Sequence, residues 1–160
     1  MKTRNRGVGA LAGLCLAVAG TTVAATDQHH AGHAHEPPAK LELDHGKPWA
    51  TDAPLRKGMG ALHAAFAERV EAIHAGTLPA ANYRALGAKV ETEVAALVAE
   101  CKLEPKADAV LHVIVAELLA AADVLQGRAP GTPAAGAHRA VAALNDYGRN
   151  FDHPQWQPLQ

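Results

Sequence analysis

Four histidines crowd a short stretch near the start of the chain, His29, His30, His33 and His35, within HHAGHAHE. Neutral imidazole is a good ligand for zinc, copper and nickel. A stretch this dense in rings, with no apolar periodicity to hold them, can wrap several round one ion, loosely and with little selectivity. The other reading is a solubilising leader with no metal duty. Further along stand single residues of ligand type: His45, Met59, Cys101, His112 and His153. Met59 and His63 are four apart, so on a helix both face one way. Cys101 has three open readings, as a buried inert thiol, an intermolecular link or a metal ligand. Met59 likewise reads as core filling or as a ligand.

Catalytic chemistry finds little support. The chain has no serine, no GxSxG, no HExxH and no phosphate-binding glycine loop. A Cys101–His pair would be a poor nucleophile on an apolar helix face, because burial raises the thiol pKa. The expectation is that the protein is not an enzyme. A formal net charge of −1 and the lack of a long basic block give no sign of a nucleic-acid partner.

The first residues form a targeting pattern. Lys2, Arg4 and Arg6 make a positive start, Val8 to Ala19 an apolar stretch, and Val23-Ala24-Ala25 a small-residue cleavage site. This is the secretory signal pattern, and the apolar stretch falls short of the ~20 residues a spanning helix needs. Leu14 before Cys15 argues against lipidation. Residues 1–25 are therefore expected to be a signal peptide, with the mature protein in the periplasm and no membrane span after cleavage. Cleavage after Ala25 removes three basic residues and no acid, and takes Cys15 with it. Only Cys101 remains, so no internal disulfide can form. His29 becomes the fourth mature residue, one too late for an amino-terminal copper site.

The 160 residues suffice for one domain, and 49% hydrophobic content can build a core. The 37 alanines favour helix and speak against an all-β fold. Residues 26–43 are polar, His-rich and interrupted by Pro37-Pro38, and read as a disordered tail. Residues 44–160 read as four amphipathic helices with flanking segments. The first is expected over Pro54–Ala75, with the stripe Leu55, Met59, Leu62, Phe66, Val70 and Ile73. The second runs over Asn82–Lys102, with Tyr83, Leu86, Val90, Val94, Leu97 and Cys101. The third runs from Pro105 to Gln126, with Leu111, Ile114, Val115, Leu118, Ala122 and Leu125. The fourth runs over Ala134–Arg149, with Val141, Leu144, Tyr147 and Phe151. Gly136 and Gly148 lower its propensity. The fold class is all-α, as an up-down-up-down four-helix bundle.

That topology brings the start of the first and third helices and the end of the second and fourth to one end. Met59, Cys101, His112 and the Asp152-His153 segment should gather there, with His45, Trp49 and Trp156 nearby. Sulfur with imidazole suits Cu(I), and Cys with His suits zinc. The expected site has Cys101 as anchor and Met59 and His112 next, although His112 lies about 100° from Leu111 on a helical wheel, at the edge of the core face. The alternative is a plug of aromatic and sulfur side chains closing a thin core. The function expected is an exported metal-binding protein that buffers or delivers copper or zinc, its partners the ion and a second periplasmic protein. A cofactor-free interaction module is a further alternative.

Two resemblances bear on these readings. Leu55-Arg56-Lys57-Gly58-Met59 resembles the first-helix segment of exported cytochrome b and cytochrome c′ bundles, which implies a non-covalent haem b electron carrier with Met59 and His153 as ligands. The CxxCH attachment motif is absent, which leaves out covalent haem. Across more of the chain, LDHGKPWATDAPLRKGM, ECKLEPKADAVLH and NFDHPQW resemble recurring blocks of small exported proteins of the DnrO type, a group associated with bacterial denitrification genes. That resemblance implies an exported helical bundle and brings no activity with it.

Overall fold

A computed structural model of the chain describes residues 40–160. The expected signal peptide at 1–25, and the tail up to residue 39 with His29, His30, His33 and His35, lie outside the described residues.

The described residues form five α-helices and no strand: α1 Ala53–Ala67, α2 Val70–His74, α3 Ala80–Glu100, α4 Pro105–Leu125 and α5 Pro133–Asn150. The apolar stripes account for them. Leu55, Met59, Leu62, Phe66 and Ile73 are buried, as are the stripe residues of α3 up to Leu97 and those of α4 and α5. Val70 and Cys101 are half-buried at the core margin.

The first helix is not continuous as its stripe predicts. The Arg69 N–H bonds Phe66 O at 3.0 Å, one residue short of the α-helical partner, and the Arg69 guanidinium takes the freed Ala65 O at 2.8 Å. A side chain inserted into the backbone ladder breaks a helix without Gly or Pro. The second helix also ends earlier than predicted. Lys102 N–H donates to Asp52 Oδ2 at 2.7 Å, which leaves Cys101 extended as the cap (φ −67°, ψ 141°). The other oxygen of Asp52 accepts Leu55 N–H at 2.8 Å and caps α1. One carboxylate thus starts α1 and stops α3.

Helix ends meet in alternation. The start of α1 touches the end of α3 through Asp52 and the end of α5 through Trp49. Trp49 N–H donates to Asn150 O and Asp152 N–H to Trp49 O, both at 2.8 Å. At the other end, Gly87 of α3 lies against Ala122 and Leu125 of α4, and Gly136 of α5 against Ala121 and Val124. A β-carbon at Gly87 would stand 3.1 Å from Ala122 O, and one at Gly136 would stand 3.2 Å from Ala121 O. The glycine that weakens α5 as an isolated helix is therefore what lets α4 approach.

After α5 the chain turns back as a strap. Phe151 is buried, His153 and Trp156 are half-buried, and Leu159 is buried. Trp156 lies on Gly148, where a methyl group would overlap the indole.

Candidate functional site

The structure brings two of the predicted ligands together. Cys101 and His112 line one cleft of about 190 Å³ between the end of α3 and the start of α4, with Asp108 and the apolar Leu97, Val98, Leu111 and Val115. Pro105 opens α4 three residues before Asp108, so the acid and His112 sit one turn apart on the same face. His112 Nδ1 bonds Asp108 O at 2.8 Å and lies 3.3 Å from Asp108 Oδ2. Its side chain is 66% exposed, so the ring runs along the surface, as its wheel position allowed.

The electrostatics of this cleft keep Cys101 protonated. Burial pushes the thiol up to about 11, and the carboxylates of Asp52, Asp108 and Glu100 push it the same way. A thiolate is the form that binds metal or attacks an electrophile, so the unloaded cleft presents a thiol at neutral pH.

The remaining predicted ligands lie apart from this cleft. Met59 is fully buried within the α1 stripe. His45 is in a tight turn, closed by paired Asp44–Lys47 backbone hydrogen bonds, with left-handed φ at His45 (49°) and Gly46 (83°). Its side chain is 94% exposed at the rim of a second, open cleft that Asp52, Lys102 and Lys106 also line. His153 belongs to an aromatic cluster between α1 and α5. Its Nδ1 is 3.0 Å from Tyr147 Oη, and its ring centre is 5.0 Å from that of Trp156. Burial, and the positive charge of Arg56, hold His153 below the ordinary imidazole range, while burial raises the Tyr147 phenol. Met59 and His153, the pair of the haem reading, line neither cleft.

Among the described residues, no three of His, Cys, Asp and Glu converge as a ready metal-binding group. No described helix is long and apolar enough to cross a membrane. No protein-family model, curated protein or solved structure matches the chain.

Several contacts that shape these surfaces were not foreseen from the sequence. His63 completes the aromatic cluster, with Nε2 2.7 Å from Gln157 O and its ring 4.5 Å from Trp156. Its i, i+4 relation to Met59 pointed to a shared direction, yet Met59 faces the core and His63 faces the strap. His74 and His138 meet at the opposite end of the molecule, with ring centres 5.2 Å apart. They are 64 residues apart in the chain, so only the packing of α2 on α5 reveals the pair.

Proposed function

We propose that this is an exported protein that buffers or delivers copper or zinc, its main ligands the histidines at 29, 30, 33 and 35, carried on a four-helix bundle of up-down-up-down order. In that bundle α1 and α2 together make the first arm. The observation that carries the reading is the density of imidazole in HHAGHAHE behind a secretory signal pattern. The interior of the folded part is filled by aliphatic and aromatic side chains together with Met59, and Cys101 is held as a thiol, which leaves the dense imidazoles of HHAGHAHE as the main ligands of this reading. Weak, multi-ring binding suits an ion that must be handed on. Cys101 and His112 of the α3–α4 cleft offer only a secondary pair of ligands, open to an ion that displaces the thiol proton.

Native mass spectrometry of the protein recovered from the periplasm tests both halves of the reading. A chain beginning at or near Thr26 and carrying copper or zinc is expected. Replacing His29, His30, His33 and His35 by alanine should lower the number of bound ions while helicity stays unchanged. Equal metal content in the two proteins would show the histidines to be only a solubilising leader, and an intact Met1 would remove export.

A further inference from the structure

We infer that His74 and His138 form a zinc-class divalent metal site on the folded part of the molecule, separate from the histidine-rich segment. His74 closes α2 and His138 lies in the first two turns of α5. Both side chains are exposed, and their ring planes stand at 87° with centres 5.2 Å apart. Neither ring is hydrogen-bonded or ion-paired to another described residue, so the ring nitrogens remain available to an incoming ion. Imidazole nitrogens bind zinc at roughly 2.0–2.1 Å, which puts each ring centre roughly 3.2 Å from the ion and two tetrahedrally placed centres about 5 Å apart. The observed separation, that of an edge-to-face ring pair, is also compatible with two imidazoles on a shared ion, with water filling the remaining positions. The electrostatic surroundings do not oppose it, because nearby Arg139 is already paired with Glu117 across the α4–α5 groove at 2.7 Å.

The site would join α2, the short helix beyond the break at Arg69, to α5. An ion held there binds the folded chain and not the unfolded one, because unfolding separates two residues far apart in sequence. Ions on the HHAGHAHE segment have no such preference, since that segment carries its ligands side by side whether or not the helices are folded. The two sites therefore differ in what they do to stability.

The experiment is thermal unfolding of the full chain by circular dichroism, with and without excess ZnCl₂. The unmodified protein should melt about 3–6 °C higher in saturating zinc. His74→Ala and His138→Ala should each remove most of that rise, while replacing the four histidines at 29–35 should leave it in place. Should an alanine variant alter the metal-free fold, His74→Gln and His138→Gln serve instead. No rise in the unmodified protein, or a rise that persists without His74 or without His138, would overturn the site. Zinc stoichiometry reads the tail separately, so loss of one proposal does not entail loss of the other.

Discussion

Asn145 and Leu159 exchange two hydrogen bonds. The Leu159 N–H donates to Asn145 Oδ1 at 2.8 Å, and Asn145 Nδ2 donates to Leu159 O at 3.0 Å. The side-chain amide satisfies both backbone groups of one strap residue, much as an adjacent strand would. Together with Leu159 in its apolar seat and Trp156 on Gly148, this fixes the strap across α5 and α1.

Gly148→Ala should loosen the strap. The added methyl displaces the Trp156 indole, at a cost of about 1–3 kcal/mol for overpacking. The gain in helix propensity, ~1 kcal/mol, offsets only part of it. Urea unfolding should show a net loss of stability, and the Leu159 amide should exchange faster with solvent. A variant as stable as the parent with Leu159 still protected would mean that Trp156 is not held by this contact.

Asp52→Ala removes the α1 cap and the acceptor for Lys102 N–H in one step. A loss of about 1–2 kcal/mol is expected from the cap alone, with more from the broken α1–α3 link. Asp52→Asn should fall between the two, because its single carbonyl oxygen can serve the cap or Lys102 but not both. Chemical denaturation of the three proteins orders them, and equal midpoints would show that the carboxylate is redundant.

Much of this framework was legible in the sequence, for a definite reason. Leu and Val spaced at three and four residues have one compact way to be buried, so the stripe of α3 up to Leu97 and those of α4 and α5 are core residues as read, while Cys101 falls past the end of α3 at the core margin. The break at Arg69 was not legible, since it depends on one guanidinium preferring a backbone carbonyl of its own helix. Gly136 and Gly148 were read as weaknesses, and only the neighbours Val124 and Trp156 show why a small residue stands there. Topology placed Cys101 and His112 in one cleft, while Met59 turned inward because the first helix needs its volume in the core. The His74–His138 pair joins helices that are distant in sequence, and no local pattern carries such information.

Cys101 should be slow to alkylate at neutral pH. With the thiol pushed up to about 11, the thiolate fraction at pH 7 is small and grows as pH rises, so the rate with iodoacetamide should climb through pH 9 and 10 without levelling. Asp52→Asn should bring that rise to lower pH, because a carboxylate that opposes the thiolate is gone. A rate that levels near pH 8.5, the range of a free cysteine, would show that the cleft does not control this thiol.

The Trp49–Phe151 bridge also bears on the order in which the molecule assembles. The α3–α4 and α4–α5 pairings join neighbours across short loops, whereas Trp49 must find Phe151 across the whole helical stretch between them. Closing so long a loop costs more chain entropy than any pairing of successive helices. The seam between α1 and α5 is therefore expected to shut after the pairings of successive helices, and Trp49, buried against that seam, is one of two tryptophans whose fluorescence would report the closure.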